Sequence, residues 1–111
     1  MILFRAFLVV LWLALSAYTA VVVSSYGMGL LPIFFGDILA LTWPGQFNLD
    51  FMFMLALSAL WVSWRHQFTT GGLALGLLAF IGGASFLSVY LFVLSYQSQG
   101  NMKEVLLGSR A

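Results

Sequence analysis

Residues 71–96 read GGLALGLLAFIGGASFLSVYLFVLSY. The stretch has no formal charge, and the charge-free run around it extends from Gln67 to Met102. A helix that crosses a bilayer needs roughly 20 mostly apolar residues, which this stretch supplies. Two further charge-free runs lie upstream, from Ala6 to Gly36 and from Phe51 to Trp64. The composition agrees: 63% of the chain is hydrophobic and 6% is charged, against about 45–50% apolar and about 25% charged in soluble domains. Arg5, Asp37, Asp50, Arg65, Lys103, Glu104 and Arg110 are the only charged side chains, too few to cover a soluble core. The sequence therefore predicts an all-α membrane protein of one domain. Three transmembrane helices are expected at about 2–24, 48–65 and 71–96, with one short interfacial or re-entrant helix at about 30–42 and a polar tail at 97–111.

The opening MILFRAFLVVLWLALSAYTA has the look of a signal peptide, but its apolar part exceeds the usual 7–15-residue hydrophobic region, so it reads as a true helix. LLPIFFGDILAL, at 30–41, carries Pro32 near its start, where a first helical turn tolerates it. Twelve residues reach only about 18 Å, too short to cross. The tight RHQFTTGG link makes the second and third helices antiparallel neighbours. Val105, Leu106 and Leu107 let part of the tail rest on the membrane surface.

Composition also narrows function. A net charge of +1 without clustered Lys and Arg argues against nucleic acid. With no cysteine, disulfides, iron–sulfur clusters and thiolate zinc sites are excluded. His66 is the only histidine, so paired axial ligation of a haem within one chain is impossible, and no cofactor is expected. Gly83-Ala84-Ser85 loosely echoes the Gly-x-Ser of rhomboid-type proteases, but no histidine sits in a span to activate Ser85. GDIL is not the Gly-x-Gly-Asp of intramembrane aspartyl proteases. These absences predict a non-enzyme.

Oil cannot drive helices together inside oil, but small residues allow close approach. Each span has such a stripe at i, i+3, i+7: Ala17, Ala20 and Ser24; Ala56, Ala59 and Ser63; Gly76, Ala79 and Gly83, with Gly72 one turn earlier. The stripes serve either internal packing or, for Gly72, Gly76, Ala79 and Gly83, contact with a second copy or another subunit. Trp12, Trp61 and Tyr90 lie deep enough to need hydrogen-bond partners, while Arg65 and His66 are expected to snorkel to phosphates.

The polar cluster TWPGQFNLDF, at 42–51, has two readings. Asn48 as N-cap, Asp50 in the first turn and Pro44-Gly45 as the preceding turn account for it as a helix start. Alternatively Asp37, Gln46, Asn48 and Asp50 converge on a hard cation or a lipid ammonium group. Asp37, in an apolar segment, is a proton-exchange candidate if buried and an interfacial residue if it faces water.

WPGQFNLDF followed by LWVSWRH resembles a pattern in small bacterial membrane proteins of about this length, over roughly 2–108. The resemblance implies a bacterial inner membrane and no particular chemistry. The chain is similar to small multidrug transporters in length, but its first span lacks their membrane glutamate. It is similar to the three-helix half-transporters for sugars in helix count, but Pro44-Gly45-Gln46 is not their Pro-Gln. Arg5 and Arg65 on one side and Lys103 and Arg110 on the other leave the positive-inside rule tied. The amino terminus and His66 tip it, so a cytoplasmic N-terminus and an external C-terminus are expected. The functional expectation is a self-associating protein or an accessory subunit of a membrane complex, in contact with membrane lipids. A small oligomeric transporter using Asp37 or Asp50, or a lipid-binding protein, are the alternatives.

Overall fold

The computed structural model describes residues 1–110, which are almost entirely helical. The elements are α1 (Ile2–Tyr26), α2 (Leu30–Leu39), α3 (Trp43–Arg65), α4 (Thr70–Gln97), α5 (Met102–Leu107) and a 3-10 turn, Gly108–Arg110. As the composition requires, α1, α3 and α4 are long and apolar enough to cross a membrane, and the short α2 lies between the first two.

α3 begins at Trp43, earlier than the expected 48, with Thr42 at its N-cap and Pro44 in the first turn. A fixed φ and a missing N–H suit proline to that place. Pro44-Gly45 is thus the opening of the helix and not a turn, Asn48 is not its cap, and Asp50 lies beyond its first turn. The reason is tertiary. A Cβ at Gly45 would overlap the Asp37 carbonyl oxygen and lie 2.8 Å from its carbon and 2.9 Å from Ile38 Cα. The backbone of α2 therefore rests directly on the first turn of α3. Leu41, at φ 57°, turns the chain between them, and α2 ends at Leu39 rather than 42.

α4 starts at an N-cap, Thr69, whose hydroxyl accepts from the Gly72 N–H at 3.1 Å. Its first part runs antiparallel to α3. Gly72 lies against His66, Gly76 against Ser63 and Ala59, and Gly83 against Leu55 and Phe51. At Gly83 the backbone leaves the helical region (φ 56°, ψ −138°). A straight continuation would carry Tyr90 about 30 Å from His66 at 1.5 Å per residue. Instead the Tyr90 hydroxyl is 2.6 Å from His66 Nε2, and its ring is 6.0 Å from that of Trp61. The second arm, 84–97, has folded back beside α3.

That arm also carries α1. Arg5 Nε donates to Ser95 Oγ at 2.9 Å and Arg5 Nη2 to the Ser95 carbonyl at 3.0 Å, and the guanidinium stacks 3.7 Å from the Tyr96 ring centre. The core gathers Val62, Ala79, Tyr90, Leu94 and Val105. Val105 belongs to the tail and is fully buried, where it was expected to rest on the membrane surface. α5 docks on the end of α3 because that end offers it an apolar seat and donors for its last carbonyls. Met1 lies beside Gly100. The two ends of the described chain therefore lie at one end of the molecule. The physical reason is the reversal at Gly83.

Candidate functional site

The polar groups concentrate where the chain ends meet. Arg65, the last residue of α3, is buried. Its Nε donates to the Val105 carbonyl at 2.7 Å and its Nη2 to the Glu104 carbonyl at 3.2 Å. A cation on the last carbonyls of α5 matches the negative end of that helix. Arg65 was expected to snorkel to phosphates; here it clamps the tail. Trp61 Nε1 donates to the Leu106 carbonyl at 2.9 Å, and Arg110 lies over the Trp64 ring at 4.5 Å. Of the deep aromatics that needed partners, Trp61 and Tyr90 have them.

His66 lies on the turn after α3. Burial, and then the charge of neighbouring Arg65, push its imidazole below the ordinary 6.5. In the neutral ring, with the proton on Nδ1, Nε2 accepts the Tyr90 hydroxyl. Arg65, His66, Gln67, Thr69, Glu104 and Ser109 line an open polar recess of about 520 Å³. Its floor is occupied by bonds within the chain, so the recess is a joint between α3, α4 and α5. Among the described residues no group of three His, Asp or Glu is placed to hold a metal ion.

At the other end, the cation candidates of α3 fall on different faces: Gln46 and Asp50, four residues apart, share one, and Asn48 lies on another. Gln46 and Asp50 are exposed, while Asn48 and Asp37 are half-buried. Helical geometry separates them: residues two apart point about 200° away from each other, so Asn48 faces away from Gln46 and Asp50. Asn48 Nδ2 donates instead to the Phe34 carbonyl at 3.1 Å, tying α3 to α2. Next to that bond, Leu31, Phe34, Phe51, Leu55, Phe80 and Ile81 border an apolar groove of about 760 Å³.

Gly72, Gly76, Ala79 and Gly83 are all buried within the chain. A Cβ at Gly76 would overlap Ser63 Oγ and lie 3.0 Å from the Ala59 carbonyl oxygen. The α4 stripe is thus closed against Ser63 and Ala59 of α3, while Ala56 stays exposed. The stripe of α1 is open: Ala17, Ala20 and Ser24 are exposed, and Leu8 is the one buried residue of that helix.

Sequence reasoning missed Gly45, Arg5 and Ser95 as joints. For Gly83 a signal existed, since Gly-Gly-Ala-Ser inside a span is the composition of a sharp bend. For Arg5 and Ser95 none did, because ninety residues separate them. Comparison with family models, with curated proteins and with solved structures gives no match.

Proposed function

We propose that this chain is a small, non-enzymatic, multi-pass protein of the bacterial inner membrane, with a cytoplasmic N-terminus, that works by packing α1 against a second copy or another subunit. The observation that carries this reading is the asymmetry of the small-residue stripes. The α4 stripe is buried against α3, where Gly76 meets Ser63 and Ala59 and only Ala56 stays exposed, while all three of Ala17, Ala20 and Ser24 face outward. The hydroxyl of Ser24 bonds the Val21 carbonyl at 2.9 Å, so this face brings no unsatisfied donor to a helix partner. Close helix approach in lipid favours such a face. The test is the mass of the particle purified in mild detergent, with its co-purifying proteins. Ala17→Leu with Ala20→Leu reduces it to a single chain; a parent that is already a lone chain overturns the proposal.

The apolar groove between α2, α3 and the bend of α4 favours a second reading, retention of a lipid acyl chain. Mass spectrometry of lipid carried through purification tests it, with loss of that lipid expected in Leu55→Trp. A cation or proton site at Asp37 or Asp50 has less support, since Asn48 is bonded to the Phe34 carbonyl and faces away from Gln46 and Asp50. Flux into liposomes above background, abolished by Asp50→Asn, would restore it.

A further inference from the structure

We infer that α4 does not traverse the bilayer but enters and leaves it on the same side, so that both ends of the chain and all four of its cationic side chains lie on the cytoplasmic face. The inference is independent of what α1 binds. Three observations carry it.

The first is length. The arms of α4, 70–82 and 84–97, are each about 20 Å at 1.5 Å per residue, against a hydrocarbon core of about 30 Å. Neither crosses alone. α1 and α3, at 25 and 23 residues, each do.

The second is direction, read from residue pairs. Along the first arm, partners descend α3 as α4 advances: His66 with Gly72, Ser63 with Gly76, Leu55 with Gly83. Along the second arm the order is reversed. Tyr90 is back at Trp61 and His66, and Ser95 is at Arg5. Leu8 and Trp12 of α1 share a cleft with Ser88 and Phe92, which sets this arm antiparallel to α1. The tip at Gly83 is buried, and a Cβ there would lie 3.3 Å from both Leu55 and Phe51 side chains. An interrupted helix survives at membrane depth only where protein covers it, and here Phe51 and Leu55 cover Gly83 on the α3 side.

The third is charge. With a straight third crossing, the cations divide two and two. With the reversal, Arg5, Arg65, Lys103 and Arg110 all belong to one end. Arg5 joins Ser95, Arg65 joins α5, which carries Lys103, and Arg110 joins Trp64. Asp37 sits at the opposite end, against the first turn of α3. The positive-inside rule, tied before, becomes one-sided and places that end in the cytoplasm.

The chain has no cysteine, so single cysteines report topology without background. Leu3→Cys, Met28→Cys and Lys103→Cys place the probe at exposed positions near the N-terminus, between α1 and α2, and on α5. In intact spheroplasts a membrane-impermeant maleimide labels Met28→Cys alone; Leu3→Cys and Lys103→Cys react only after permeabilisation. Labelling of Leu3→Cys and Lys103→Cys from opposite sides, or of both from outside, overturns the inference.

Discussion

Gly45→Ala is the sharpest test of the α2–α3 joint. The added methyl overlaps the Asp37 carbonyl oxygen and sits 2.8 Å from its carbon and 2.9 Å from Ile38 Cα. All three are backbone atoms, so no side-chain rotation relieves the overlap and α2 itself must move. Overpacking of this kind costs about 1–3 kcal/mol. Moving α2 also weakens the 3.1 Å bond from Asn48 to the Phe34 carbonyl, worth about 0.5–1.5 kcal/mol. Against this, alanine gains up to about 1 kcal/mol over glycine inside a helix. The balance is about 2 kcal/mol, or roughly 30-fold more frequent opening of α2. Amide hydrogen exchange of α2 peptides in lipid nanodiscs reads that factor directly. Gly36→Ala is the control: it lies in the same short helix, and a Cβ there meets nothing within 4 Å. Exchange in α2 should rise in Gly45→Ala and should not rise in Gly36→Ala. Equal exchange in the two variants, or no change in Gly45→Ala, refutes the close approach.

Three other perturbations probe the remaining joints. Gly76→Ile overlaps Ser63 Oγ and crowds the Ala59 carbonyl; it should lower stability in a detergent unfolding titration by about 1–3 kcal/mol, while the number of chains per particle stays unchanged because that stripe is internal. Arg5→Lys removes a fork that bonds Ser95 twice and stacks on Tyr96; lysine reproduces neither feature, so a loss of about 1–2 kcal/mol is expected in the same titration. His66 has a folded pKa below its ordinary 6.5, so the unfolded chain binds the proton more readily; stability is full above that value and falls as pH drops below it. Melting of the parent should decline as the pH falls through 6.5, and His66→Gln should flatten that part of the profile.

The class of fold was legible because membrane helices obey one strong constraint: backbone polar groups must be satisfied inside the segment, so long apolar runs become helices. Residues 2–26 and 71–96 could hardly read otherwise. The start of α3 was ambiguous in sequence, since Asn48 with Asp50 and Thr42 with Pro44 each make an adequate start on local rules, and the contact of Gly45 with α2 goes with the earlier one. The stripes were legible as packing faces, but sequence does not say which two faces meet. The docking of the tail on the bundle was not legible, since the burial of Val105 depends on donors from Trp61 and Arg65, some forty residues away.

The tie in the charge count was itself informative. A chain with four cations and three apolar helices has no reason to divide them evenly across a bilayer whose insertion machinery reads their asymmetry. If every long apolar helix is assumed to cross, the count comes out two against two. Letting one helix turn back at a buried glycine with φ 56° gathers all four cations at one end, without moving any residue from where its own contacts place it. The same turn brings Ser95 to Arg5, Tyr90 to His66 and the tail to Arg65. Length, contact order and charge have separate physical origins in helix rise, packing and membrane insertion. Their agreement on a reversal at Gly83 is a stronger argument than any of them alone, and hydropathy, which measures only how oily a segment is, has no means of registering it.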